Sequence, residues 1–543
     1  MCLFCSDMKK TLRAISFCLI LLSVWGCGRH STSGTKMIFR YNEASGITSL
    51  DPLKANSLAN IWAVQQLYNG LVQLDSAMNV QPCIAREWEV LDSGKLYVFH
   101  LRTDISFHPD ASFASAQRTV KASDVVFSFA RIVSQNGPQW VLQQVSDRAG
   151  GTKAIEAVND STVHIMLDEP FAQFLQVLTM PYCFIVPQKA AEFYGDDFGR
   201  HPVGTGPFCL RRWHDGEKLV LNRNEEYFEH DVGGNRLPYL DGVSVTFVKD
   251  RQTAFLEFVE GRIDMMSGLD AAYKDELLTP YGTLNPYYST KAYLQKIPYL
   301  NTEYLGINLD AATGGPLADR HVRMALSAAL DRKQLIAYIR NGIGMPASGF
   351  VPPALLDMKP AEAETDDDVN KHLLNSSYKN VRNVPPFVLY TDVAYVDLCT
   401  AILSQWKRYG FRVSLEVLDR PTLKSQVAKG QLIFFRGSWI ADYPDAENYL
   451  SLFYTPNFSP AGPNYTHFSK EKFDAMYRNC LAETNDSLRR IFYRQMDSLV
   501  MSEAPVIPLF FDEVTRFVRT EVTGLPPHPM NHLDLKRVRK SNK

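Results

Sequence analysis

Between Phe387 and Leu418 the hydrophobic period changes twice, and this stretch constrains the fold more than any other. Phe387-Val388-Leu389-Tyr390 is a short continuous apolar run of the kind a buried strand makes. Tyr395 to Tyr409 carries its apolar residues on one helical face, and Gly410 is suited to end that helix in a left-handed conformation. Phe411 to Leu418 then alternates apolar and polar residues. Strand, helix and strand at this spacing predict a right-handed parallel βαβ unit, and so an α/β chain.

The same signals recur elsewhere. Leu96 to Leu101, Val243 to Val248 and Leu305 to Leu309 read as strands. Ser123 is expected to cap a helix carrying Val125, Val126, Phe129 and Ile132, and Asp319 one carrying Val322, Leu326, Ala329 and Leu330. Glu362 to Asp368 holds five acidic residues without an apolar period, which predicts a solvated loop. A chain of 543 residues is long enough for more than one core. Its 57 Lys+Arg against 59 Asp+Glu leave no global field that would favour nucleic acid or an anionic surface.

The N-terminus reads as an export signal. Lys9, Lys10 and Arg13 precede an apolar run from Ala14 to Trp25, too short to span a bilayer comfortably. The run ends in Leu22-Ser23-Val24-Trp25-Gly26-Cys27, which resembles a bacterial lipobox. Residues 1–26 are therefore expected to be removed, with Cys27 lipidated and 27–36 forming a polar tether. An ordinary cleaved signal with an incidental cysteine is the alternative. Beyond Cys27, five cysteines remain of the nine, without a C-x-x-C pair among them, so no zinc site or disulfide framework is expected.

Catalytic patterns are missing. The sequence has no G-x-S-x-G elbow, H-E-x-x-H or Walker A loop, and no cofactor or metal is expected. Gly204-Thr205-Gly206-Pro207 is glycine-rich, but Pro207 removes a donor that a phosphate cradle needs, so a tight turn between lobes is expected instead. His100 and His108 read as structural.

Several segments, in order, resemble the peptide/nickel family (family 5) of extracellular solute-binding proteins. Leu50-Asp51-Pro52 with Leu67 to Val72 is similar to the family's opening strand and helix, and Pro82 to Val90 to its P-x-L-A-x-x-W segment. Phe99 to Arg102, Phe107-His108 and Ala122 to Arg131 resemble the next block. Val203 to Phe208 with Leu221 to Phe228 resembles the central signature, and Val322 to Arg332 a helix of the third lobe. Pro109 to Val120 departs from the family as a longer polar insertion.

The resemblance implies a two-lobe, flytrap-like fold with three subdomains, mixed sheets flanked by helices and a ligand cleft between lobes. The expected divisions are 37–67 and 191–300 in lobe I, 68–190 as subdomain II, 301–510 as lobe III, and 511–543 returning to lobe I. It implies a substrate-binding component of an ABC importer that captures peptides by hinge closure and passes them to permease and ATPase subunits. The expected protein is monomeric, held by Cys27 to a membrane of a bacterial envelope. Alternatives are a binding protein for another solute (a nickel chelate, haem or an oligosaccharide), a peptide-sensing receptor, and, with least support, a hydrolase.

Phe435 to Asp445 is the candidate site, expected to emerge at the end of a strand formed by Leu432-Ile433-Phe434. A peptide's ammonium group needs a fixed carboxylate, and Asp442 can supply it. Its carboxylate end needs a cation, and Arg436 offers a planar fork. Ser438 and Ile440 can offer main-chain groups to the peptide backbone, Trp439 an apolar wall, and Tyr443 completes the set. By the resemblance, Asp442 meets the amino end and Arg436 the carboxylate end, and Glu43, Ser45 and Gly46 line the cleft from the other lobe. The plainer readings are that Asp442 caps a turn before Pro444, that Arg436 pairs with a local acid, and that Glu43 to Gly46 form a strand-end turn.

Overall fold

The computed structural model describes residues 36–113, 117–134, 137–145, 154–270, 272–356 and 365–541. The segment expected to be an export signal, and Cys27, lie outside the described residues. The expected βαβ unit is present. Phe387–Asp392 and Val413–Leu418 pair in parallel, joined by the helix Val396–Tyr409, which ends on Gly410 at φ 98°. Trp406 on that helix is fully buried, stacks on Phe434 and donates its indole N–H to the Leu326 carbonyl at 2.8 Å.

This unit forms one end of an eleven-stranded mixed sheet. From that end the order is Val413–Leu418, Phe387–Asp392, Phe434–Ile440, Ala292–Ile307, Val506–Arg519, Met265–Ser267, Ile38–Asn42, Gly242–Thr246, Lys218–Arg223 and Phe208–His214, with Met345–Pro346 pairing beside Val506–Arg519. Two strands do the joining. Ala292–Ile307, sixteen residues long, and Val506–Arg519, fourteen residues long, run antiparallel along one another through both halves of the molecule. Their register is interrupted between Pro298 and Thr302 and again between Glu303 and Tyr304.

Residues 308 to 505 build the C-terminal lobe around this sheet. Leu305, Ile307 and Phe434 face one apolar core with Trp406 and the 320–328 helix, while Leu300, Tyr304 and Phe435 face a second with Tyr449, Phe453 and Met496. Successive strand residues point to opposite faces, so one sheet feeds two helical layers. The N-terminal half has its own core and a separate four-stranded sheet in the order Ala85–Leu91, Leu96–Leu101, Thr162–Met166, Ile155–Asn159. The expected borders 300/301 and 510/511 fall inside the two long strands.

Several local expectations are corrected. The helix assigned to Ser123 starts at Ala122, because Asp124 reaches back to the Lys121 N–H at 3.0 Å and closes the first turn. Asp366, Asp367 and Asp368 are not in a loop: Thr365 caps a helix Asp366–Asn375, whose N-terminal partial charge suits three acids in its first turn. The helix capped by Asp319 stops at Ala328, and Asp331 caps a second, Arg332–Arg340. Gly204 to Pro207 lies within the N-terminal half, not between lobes. A Cβ on Gly204 would fall 2.0 Å from the Leu67 carbonyl oxygen, so only glycine admits that approach. His108 braces this turn, with Nε2 at 3.0 Å from the Gly206 oxygen. Part of the Pro109 to Val120 insertion is described: Phe113 and Val120 are buried, and Phe113 stacks on Phe107. The cysteines at 83, 183, 209, 399 and 480 are all free.

Candidate functional site

The strand expected to end at Phe434 begins there instead and runs to Ile440. Arg436, Ser438 and Ile440 are therefore strand residues. The strand pairs antiparallel with Asn301 to Ile307. Asn308 N bonds Ile433 O, and Ala441 N bonds Leu300 O, which fixes the alternation: Gly437 and Trp439 aim their main-chain groups at the 292–307 strand, whereas Ser438 and Ile440 aim theirs away. On that outer side, among the described residues, Phe387–Asp392 meets the strand at one pair, Tyr390 opposite Phe435. The edge from Gly437 to Ile440 is thus open to an extended chain, and Ile440 is 49% exposed.

Asp442 follows the strand, at the head of a turn held from beneath. Asn448 accepts from the Trp439 indole N–H at 3.0 Å and from the Asp442 N–H at 3.1 Å. Tyr443 donates its hydroxyl to Glu447, which also accepts from Tyr477. Asp445 accepts from the Tyr493 hydroxyl and caps the Glu447 N–H at 2.9 Å. Burial pushes Glu447 up to about 7, although its tyrosine donors favour the charged form. Tyr443 also packs among apolar residues of the N-terminal half, and Gln173 of that half, fully buried, donates to the Tyr493 hydroxyl at 2.6 Å. The turn is therefore seated where the two halves meet.

The Asp442 carboxylate itself is reached by solvent, yet enclosed by protein at longer range, the situation of a group on the wall of an open cleft. Desolvation pushes its pKa up to about 6, opposed by Asn448. Among the described residues it has no ion-pair partner. Its charge is felt by Tyr465 and Tyr449 of its own lobe and by Tyr182 of the N-terminal half. Trp140, 47% exposed, meets Tyr182 edge to face at 6.0 Å. An unpaired carboxylate on a cleft wall can take a cation by charge.

Arg436 is differently placed. It is 8% exposed and ion-paired with Glu303, with Asp392 at 3.9 Å and its guanidinium 3.0 Å over the Tyr395 ring. The other Glu303 oxygen accepts from Ser438 at 2.9 Å and Asn301 at 3.1 Å. This is the local acid of the plainer reading. Trp439 is half-buried against the core beneath the turn. Glu43, Ser45 and Gly46 form a turn closed on itself: Ser45 donates N–H and hydroxyl to the Glu43 carboxylate, and Gly46 N bonds Glu43 O at φ 75°.

Sequence reasoning missed Glu303, Tyr182, Tyr465 and Gln173. Glu303 stands 133 residues from Arg436, and only strand pairing brings them together. A cavity of about 340 Å³ lies elsewhere, between Gln66 to Asp75 and His528 to Arg537, where Glu229, Lys536 and Gln73 satisfy one another. Among the described residues no group of acids, histidines or cysteines is arranged to hold a metal, and no helix is long and apolar enough to cross a membrane.

Two lobes joined by paired strands, with an unpaired carboxylate and an open strand edge where they meet, define a solute-binding protein of the two-lobe type. Residues 79–460 match the family model described as bacterial extracellular solute-binding proteins, family 5 Middle, and the chain belongs to that family. It is a transport binding protein and not an enzyme. The chain is 27% identical to the probable deoxycholate-binding periplasmic protein YgiS of Escherichia coli over 521 residues, 91% of each chain. It is 25% identical to the periplasmic oligopeptide-binding protein OppA of Salmonella typhimurium, over 89% of this chain and 88% of that one. Among solved structures, HbpA2 from Haemophilus parasuis superposes with a TM-score of 0.77 at 22% identity, covering 93% of this chain and 100% of that one. DppA from Helicobacter pylori in complex with the peptide STSA gives 0.74 at 20%, covering 93% and 99%.

Proposed function

We propose that this chain captures short peptides outside the cytoplasm and delivers them to an ABC importer, closing its two lobes on the ligand. Asp442 carries the reading. A carboxylate held without a cation partner on a cleft wall, with its pKa pushed up to about 6, is an incomplete charge pair, and a protonated amine completes it. The open edge of Gly437 to Ile440 then pairs with the peptide backbone whatever its side chains, and Trp439, Tyr182, Tyr465 and Trp140 enclose apolar ones. The oligopeptide-binding relative and the STSA-bound structure support this ligand class.

The deoxycholate-binding relative suggests an amphipathic anion as a second reading. The wall opposes it, since Asp442, Glu303, Asp392 and Asp512 outnumber Arg436 and Arg340 there. The lipobox-like sequence supports anchoring through Cys27, and the family supports permease and ATPase subunits as partners.

Mass spectrometry of small molecules released on denaturing the protein, produced from Ser31 onward, tests the reading. A heterogeneous set of short peptides is expected. A single non-peptide species would overturn it.

A further inference from the structure

We infer that the cleft reads the ammonium end and the backbone of a peptide but leaves its terminal carboxylate unread, so that it takes peptides whose C-terminus runs past this wall or carries no charge. The inference rests on the peptide reading above and adds which end of the ligand confers affinity.

The Arg436 cation is committed within the protein. One terminal nitrogen pairs with Glu303, the other faces Asp392 at 3.9 Å, and the flat face lies on Tyr395. More than nine-tenths of the residue is buried. Glu303 is held in turn by Ser438 and Asn301, and it is itself 2% exposed. Arg436 Nε has no hydrogen-bond partner but is buried out of reach of solvent, so to grip a ligand carboxylate the guanidinium would have to turn away from Glu303, leaving that acid buried without its cation. Arg340, the other guanidinium of this wall, is likewise paired, with Asp512. The three acids Glu303, Asp392 and Asp512 face these two cations, so a further carboxylate is repelled and an amine is not. The same arrangement gives Glu303 a function: it keeps Arg436 from setting the length of the ligand.

A chain entering along the open edge is therefore fixed at Asp442 and by its main-chain groups, and among the described residues nothing on this wall measures where it ends. A peptide clamped at both charges would have one allowed length. One clamped at the amine alone has a minimum length and no maximum set here.

The test compares one tetrapeptide library in three forms, free acid, C-terminal amide and N-acetyl, by competition binding to the protein from Ser31 onward. Acid and amide forms are expected to bind within about threefold of each other, and acetylation to cost more than about 100-fold, because it removes the charge that Asp442 meets. A free acid favoured over the amide by more than about tenfold overturns the inference and leaves the peptide reading standing. Acetylated peptides that bind as well as free ones overturn the role of Asp442, and absence of binding in every form overturns both. In Glu303→Gln the released Arg436 should create a preference for the acid form of about tenfold or more; a ratio unchanged from wild type also overturns the inference. The wild-type acid-to-amide ratio decides the matter even if that variant folds poorly.

Discussion

Asp442→Asn should strengthen the empty protein and weaken the loaded one. Burial raises the Asp442 pKa from 3.8 to about 6. At about 1.4 kcal/mol per pKa unit, that rise corresponds to a ceiling near 3 kcal/mol that the folded protein loses at neutral pH by keeping the group charged. Solvent reaches the carboxylate, so screening reduces the cost to about 1 kcal/mol. The sign follows from proton binding. A folded-state pKa above the unfolded one means that the cost is absent below pH 3.8, grows as pH rises and is complete above about 6. The asparagine variant keeps the shape and the Asn448 contact without the charge. Its thermal midpoint at pH 7.5 should exceed that of wild type by about 1 °C for a chain this long, and the difference should vanish by pH 4. For a peptide ligand the order reverses. Removing the partner of a desolvated ammonium costs about 3 kcal/mol, or about 100-fold in Kd by calorimetry. Wild-type affinity should itself fall as pH drops through about 6 while the amine stays charged. An asparagine variant that melts below wild type at pH 7.5 and binds peptide equally well would refute the reasoning.

Gly204→Ala places a methyl 2.0 Å from the Leu67 oxygen and should cost about 3 kcal/mol or more, read as a lowered denaturation midpoint with little change in ligand preference. Glu447→Gln should be relatively more stable than wild type at pH 8 than at pH 5, because the raised pKa of Glu447, about 7, costs stability increasingly as pH rises from 4.5 through that value. A pH-independent difference between the two proteins would remove Glu447 as the titrating group.

The legible parts of the fold were those written locally. The 387–418 unit was readable because its hydrophobic period changes within thirty-odd residues and Gly410 marks the helix end. The acids at 366–368 misled because charge without period resembles a loop, while the cap at Thr365 is one side chain. The 434–440 strand was displaced by Gly437 and Ser438, which weaken a strand signal that pairing with Asn301 to Ile307 overrides. At the site, the family resemblance and the needs of a buried ammonium pointed to Asp442, which the structure places where the halves meet, without an ion-pair partner among the described residues. The fate of Arg436 was not legible, since Glu303 is far away in sequence, and neither was Tyr182, which comes from the other half and feels the Asp442 charge only through the fold.

The two long antiparallel strands have a mechanical consequence. A hydrogen-bonded ladder fixes which residue lies opposite which, so one strand cannot slide along the other without breaking many bonds at once. It can bend or twist cheaply only where the ladder is already interrupted, between Pro298 and Thr302 and again between Glu303 and Tyr304. Opening of the molecule is thereby restricted to rotation about a short axis with almost no translation. Each closure then returns Asp442 and Tyr182 to the same separation, and a receptor docked across both lobes would see an angle, not a displacement.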